Sequence, residues 1–164
     1  MIDPLNPGNH YYAGIIHYYA GQREESRRAF AEVLRLVPAR EIVHHFLAKV
    51  AVIEGKSQEA VQEAEREKHP AFRPLALALA YQAAGRRQEA EAQILHVEKE
   101  FGDIAAFWLA EVHVFRGEKD KALGLLEKAY GLRQPAMTGV KGDPLLRPLE
   151  GDPRFQALLR RMKL

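Results

Sequence analysis

Four glycines, Gly21, Gly55, Gly85 and Gly117, occupy the same joint of a recurring segment and narrow what the chain can fold into. Each lies in a short polar break between an apolar stretch and a second, alanine-bearing one: YYAGQREES, VIEGKSQEA, QAAGRRQEA and VFRGEKDKA. Successive glycines are 34, 30 and 32 residues apart. A period in this range accommodates two helices and a turn, and a lone helical hairpin cannot bury its own apolar face. Neighbouring units must therefore stack, which predicts a helical repeat array whose activity is binding.

The periodicity inside each unit agrees. Apolar residues recur at intervals of three and four, as in Ile16, Tyr19 and Ala20, in Ala29, Phe30, Val33, Leu34 and Val37, and in Leu75 and Leu79. Glycine after the first helix supplies a left-handed cap. Asn9, Ser57 and Asp103 read as N-caps of the following helices. Nothing reads as a strand, so the fold class is all-α.

Composition removes several classes. The apolar fraction of 47% and charged fraction of 28% are those of a globular protein, and a net charge of +2 gives no ground for nucleic acid as partner. Without cysteine there is no disulfide or thiolate metal site, which fits a reducing compartment. No apolar run approaches the ~20 residues a membrane span needs, and MIDPLNPGNHYY lacks the basic-then-apolar order of a secretory signal. The expected location is cytoplasmic. Asp3-Pro4-Leu5-Asn6-Pro7 reads as a loop that closes one repeat and opens the next, so a further domain is expected upstream.

With the turn glycine set as position fifteen, the units superimpose. Position eight is Gly14, Ala48, Ala78 and Ala110, and position twenty is Ser26, Ala60, Ala90 and Ala122. Large apolar residues stand near position seven (Leu47, Leu77, Leu109) and position twenty-four (Phe30, Ile94, Leu126), and Pro38 and Pro70 end the first two units. In these places the chain resembles the tetratricopeptide repeat family. The resemblance implies a right-handed α-solenoid of four repeats, about 7–40, 41–70, 71–102 and 103–134, with a C-terminal turn and capping helix in 135–164. The units depart from the pattern at position four, which holds His10, His44, Pro74 and Ala106, and the second has only Ala64 at position twenty-four.

After Gln134-Pro135 the period stops. Two Gly-Asp-Pro triplets follow, each able to start a helix with Asp143 or Asp152 as cap and proline in the first position. Pro148 limits the first to a turn, whereas the second opens an amphipathic helix with Phe155, Leu158, Leu159 and Met162 on one side. A helix of this kind covers the last apolar face of a solenoid. The tail is basic, and cations near a helix C-terminus also suit its dipole. This ending resembles that of bacterial multidomain regulators in which such repeats follow a kinase, cyclase or winged-helix domain. The resemblance implies, as an alternative to a free-standing interaction module, a sensor or oligomerisation region of a larger protein.

The same resemblance places the first helix of each unit on a concave face. The candidate peptide-binding groove comprises Tyr11, Ile15 and Tyr18, then His45 and Lys49, then Leu75, Leu79 and Gln82, and last Phe107, Glu111 and Phe115. Of these, Tyr11, Ile15, Tyr18, Leu79, Glu111 and Phe115 are expected to be exposed. Chaperone-binding members of the family hold a carboxylate with lysines and asparagines, whereas Tyr11, Ile15, His45, Lys49, Leu75 and Leu79 stand in those places here. An apolar or amphipathic protein segment is the expected ligand, supplied by another protein, an upstream domain or a second copy. A homodimer would meet at Tyr12, Ile16 and Tyr19 on the first helix.

Chemistry is not expected. His44 and His45 point about 100° apart on a helix, His17 and His113 occupy packing positions, and no HExxH pair is present. Acids such as Glu63, Glu65 and Glu67 alternate with Lys and Arg as solvated helix faces do. Ser26 and Ser57 have no histidine placed to activate them. The expectation is no enzyme, no cofactor, no metal site, no nucleic acid and no membrane.

Overall fold

The computed structural model describes residues 6–164. The reading of Asp3-Pro4-Leu5 as an inter-repeat loop falls outside them. The chain forms helical hairpins α1 (Pro7–Tyr19) with α2 (Arg23–Leu36), α3 (Val43–Ile53) with α4 (Ser57–Arg66), α5 (Phe72–Ala83) with α6 (Arg87–Phe101), and α7 (Ala106–Phe115) with α8 (Lys119–Gly131). Short 3-10 turns at Gly102–Ala105, Pro135–Gly139 and Pro144–Leu149 and a last helix, α9 (Pro153–Met162), complete the order. No strand occurs among the described residues, and neighbouring pairs pack in succession as an α-solenoid does.

The glycine joint is one device used four times. Each glycine has φ between 73° and 80°, the left-handed region in which a Cβ is penalised. The residue after it donates its N–H to a carbonyl five positions back, from Gln22 to His17, Lys56 to Ala51, Arg86 to Tyr81 and Glu118 to His113, at 2.8–2.9 Å. This pattern closes the helix end and turns the chain into the next helix. Small residues at positions eight and twenty then let the two helices touch. All eight are buried, and in the first unit the Ser26 hydroxyl donates to the Gly14 carbonyl at 2.9 Å. A Cβ on Gly14 would fall 2.6 Å from the Phe30 ring.

Some helix starts differ from the sequence expectation. The cap of α1 is Asn6, whose side chain accepts from the Gly8 N–H at 2.9 Å, with Pro7 in the first helical position, so Asn9 lies inside the helix. Ser57 is the first residue of α4 and makes no cap bond; Lys56 precedes it. Asp103 belongs to the 3-10 turn and pairs with Lys128. Asp143 and Asp152 cap as expected, accepting from Leu145 N and Arg154 N.

Between the second and third hairpins the connection is fastened by Glu67, an acid expected on a solvated face but fully buried. Its carboxylate accepts from the backbone N–H groups of Ile42, His45, Lys68 and His69, at 2.9–3.0 Å. At the far end Phe155, Leu158 and Leu159 of α9 pack into one cluster with Leu123, Leu126 and Ala129 of α8, and thereby cover the last hairpin.

Candidate binding groove

The first helices α1, α3, α5 and α7 line one side of the array, and the sequence led us to expect that side open. In the structure the segment 135–149 folds back across it. Leu145 enters the apolar cluster of Leu75 and Leu79, while Met137, Val140, Leu146 and Leu149 join that of Phe107. Gly139 and Gly142 pass directly over Tyr19: an added Cβ would lie 2.4 Å from the Tyr19 ring at the first and 2.9 Å from the Tyr19 carbonyl oxygen at the second. Side chains larger than hydrogen would hold the segment off the groove at both points.

The expected exposure of Tyr18, Leu79 and Glu111 is therefore corrected, because all three are buried beneath this segment or among their own helices. Tyr11 and Ile15 are half-buried, as is Gln82. Phe115 is open to solvent, whereas His45, Lys49, Leu75 and Phe107 are enclosed. The structure thus brings Tyr18, Lys49, Leu75, Leu79, Phe107 and Glu111 together around one polypeptide segment, with Tyr11, Ile15, Gln82 and Phe115 outside that contact set.

At the centre of the contact sits a buried polar cluster. The Lys49 ammonium donates to Glu111 Oε1 at 2.8 Å and to Asp143 Oδ2 at 3.3 Å. The Tyr18 hydroxyl donates to Asp143 Oδ1 at 2.9 Å, and the same oxygen accepts the Leu145 N–H. Lys49 also lies 4.5 Å from the centre of the Tyr18 ring, a cation–π contact. One ammonium faces two carboxylates where no side chain is more than 2% exposed. Burial alone would lower the Lys49 pKa, but Asp143 and Glu111 outweigh it and hold the group charged. Burial drives Glu111 the other way, well above the usual carboxylate range, and Asp143 beside it adds to the rise. The Tyr18 hydroxyl is likewise held protonated by burial and by Asp143.

His45 has a different fate. Its ring stands edge-on to Phe46 and Phe72, neither nitrogen has a hydrogen-bond partner, and burial pushes its pKa well down, so it packs as a neutral ring. His44 bonds Glu63 and His113 bonds Glu118, which is the packing role expected for His113. No cluster of three metal-binding side chains occurs among the described residues, and no helix among them is long and apolar enough to cross a membrane. Beyond the buried cluster, Phe72, Leu75, Ile104 and Trp108 line an apolar cavity of about 290 Å³ at the start of α5 and α7.

Sequence reasoning overlooked Asp143, which reads only as a helix cap, and the pairing of Lys49 with Glu111. A signal for the pairing existed. Lys49 and Glu111 hold the same register position, nine, in the second and fourth units, where charge is out of keeping with an inward face.

The tetratricopeptide repeat model matches residues 104–128, which contain α7 and much of α8. Comparison with curated proteins and with solved structures finds no match. The matched hairpin shares its glycine joint and its small-residue contact with the other three, so they are similar in build to that tetratricopeptide-like repeat. Repeats of this kind generally mediate protein–protein interaction and are typically non-catalytic.

Proposed function

We propose that this protein is a non-catalytic interaction module that holds a polypeptide segment of a partner along the face of α1, α3, α5 and α7. One observation carries the reading: that face already accommodates a stretch of chain outside the repeats, 135–149, with apolar residues seated in clusters and a polar side chain bonded at its centre. A surface that seats a segment in this way has the features of a peptide site, namely apolar seats and a small number of placed polar groups. The partner is a protein or peptide, and neither nucleic acid nor a membrane is required.

Selection of displayed peptides on the immobilised full chain tests the reading. Enriched peptides that bind the parent but lose affinity for a Tyr19→Ser variant of unchanged helicity, Tyr19 being the residue over which Gly139 and Gly142 pass, would support it. Peptides indifferent to that change, and also unable to disturb the amide signals of 135–149, would place binding elsewhere and sink it.

A second reading rests on α1. Tyr12 and Ile16 are 66% and 65% exposed, whereas Val50, Ala80 and Val112, which share the register position of Ile16, are buried against the preceding hairpin. We infer that another folded unit, either a further domain or a second copy, covers this face. Light scattering of the parent and of a Tyr12→Ser/Ile16→Ser variant decides whether a homodimer forms there: a parent that stays monomeric at high concentration removes the second copy.

A further inference from the structure

The first helices meet in register, and one of their junctions is short of a ring. At the first junction Tyr11, in position five, shares an apolar cluster with Ile42, in position two of the next unit. At the second the His45 ring stands edge-on to Phe72, in the same two positions, at 4.9 Å. At the third the pair is Leu75 and Ile104, and both border the apolar cavity of about 290 Å³. Ile42 and Phe72 are half-buried, whereas Ile104 is 67% exposed. Ala71 and Ala105 border the same cavity and are too small to close it. A leucine stands where the two earlier junctions carry a ring, and the space beside it stays open.

The walls define the guest. Phe72 and Trp108 stand edge-on to each other with ring centres 4.9 Å apart, and Phe101 adds a third ring. Such walls favour another ring over an aliphatic chain of equal area. The one polar residue of the lining is His69, whose Nδ1 already accepts the N–H groups of Ala71 at 3.2 Å and Phe72 at 3.4 Å. A charged group inside the cavity would therefore lack partners. An apolar cavity of about 150 Å³ admits benzene, and drug-sized ligands occupy ~300–1,000 Å³, so this one suits a single aromatic side chain. The rim is basic. Lys68 and Arg73, next in sequence to His69 and Phe72, are exposed and pair with no carboxylate among the described residues, while Glu100 and Asp103 are engaged by Lys99 and Lys128. The cavity also continues the face that holds 135–149, because Leu75 borders it and shares an apolar cluster with Leu145.

We propose that this cavity is the anchor seat of the partner segment, which fills it with one aromatic side chain flanked by acidic residues. This rests on the reading of the groove as a peptide site, and segment 135–149 stays in place. The guest ring takes, at the third junction, the part that the His45 ring plays against Phe72 at the second. Carboxylates on either side of it meet Lys68 and Arg73 in solvent, where they set preference and encounter more than affinity. The ring itself carries the binding, as a buried aromatic anchor does in other interfaces.

The 15N-labelled full chain serves as its own reporter, since Trp108 is its only tryptophan and gives one indole N–H signal. Acetyl-Glu-Phe-Glu-amide is titrated in, beside the Glu-Ala-Glu and Lys-Phe-Lys counterparts. Glu-Phe-Glu is expected to move the signals of Trp108, Phe72 and Ile104, and Glu-Ala-Glu to leave them still. Lys-Phe-Lys should bind about tenfold more weakly at low salt, with the gap narrowing as salt is added. Ile104→Trp fills the cavity from its own wall and should abolish the shifts at Phe72. Ala71→Phe does the same from the start of α5, should the first variant not fold.

A Trp108 signal unmoved at about 10 mM Glu-Phe-Glu, equal shifts from Glu-Ala-Glu, or equal affinity for the acidic and basic peptides would overturn the proposal. So would binding that survives the filled cavity. N-acetyl-phenylalanine binding as tightly as the flanked peptide would assign the cavity to a free aromatic acid and overturn it too. Display-selected peptides that need Tyr19 yet bind Ile104→Trp as tightly as the parent would refute this inference and leave the broader function standing.

Discussion

Replacing Glu111 by glutamine removes a buried acid from an ion cluster, and the structure predicts that the protein becomes more stable. Glutamine keeps the shape: its oxygen accepts from Lys49 and its nitrogen donates to Asp143, leaving one ammonium against one carboxylate. In the parent chain Glu111 binds a proton more readily folded than unfolded, since burial and then Asp143 raise its pKa. Folding therefore takes up a proton at any pH between the ordinary Glu value, near ~4.3, and the raised folded value. Stability contributed by the protonated group is complete below that ordinary value and is lost as pH rises through the interval. The loss accrues at roughly 1 kcal/mol per pH unit for a single proton.

Glu111→Gln escapes this loss. Its advantage should be close to nil near pH 4 and grow at roughly 1 kcal/mol per pH unit through the interval in which only the folded chain holds the proton. For a chain of this size the urea slope is of order 2 kcal/mol per molar, so the midpoints of variant and parent should separate by about 0.5 M for each pH unit of that interval. Urea titrations followed by far-UV circular dichroism on both proteins, at matched ionic strength and several pH values, give the difference. His45 titrates in the opposite sense but is common to both chains and cancels. A difference that stays flat with pH, or a variant that loses ground to its parent as pH rises above the ordinary Glu value, would refute the account of the cluster.

Other substitutions probe the scaffold. Glu67→Gln sets an amide nitrogen against a carboxylate site that receives four backbone N–H groups, and should cost about 2–3 kcal/mol in urea unfolding. His45→Leu replaces a buried ring whose nitrogens have no partners and should add about 1 kcal/mol at neutral pH. Because burial lowers the His45 pKa in the fold, the unfolded chain binds the extra proton, and that gain should widen as pH falls below about 6.5. Gly14→Ala would stabilise an ordinary helix by up to ~1 kcal/mol. Here the added Cβ meets the Phe30 ring at 2.6 Å, and calorimetry should show a loss of about 2 kcal/mol instead.

What was legible in the sequence was what neighbouring residues decide among themselves. The turn glycines lie within six residues of every hydrogen bond that closes their joint, so a short stretch of sequence contains the whole device. The apolar face of α9 is similarly local, and its cap at Asp152-Pro153 follows the same rule as Asp143-Pro144. That rule, carried to Asn6-Pro7, would also have found the start of α1, where a loop reading hid it. The groove was harder because its contacts join residues far apart in the chain: Tyr18 to Asp143 spans 125 positions and Lys49 to Asp143 spans 94. Periodicity shows that 135–149 leaves the repeat but not where it goes, and an aspartate that caps a turn gives no sign of a second bond. The repeat register itself narrows that gap. Lys49 and Glu111 stand at equivalent inward positions separated by one repeat, carry opposite charge, and interrupt a face otherwise supplied with Ile15 and Leu79. On such a face a charge needs a partner, and the repeat geometry restricts the search to the same position in other units, which leaves Glu111 as the partner of Lys49. The same reasoning asks what neutralises or protonates any further acid brought to that pair, and Asp143, 3.3 Å from the Lys49 ammonium, is that acid.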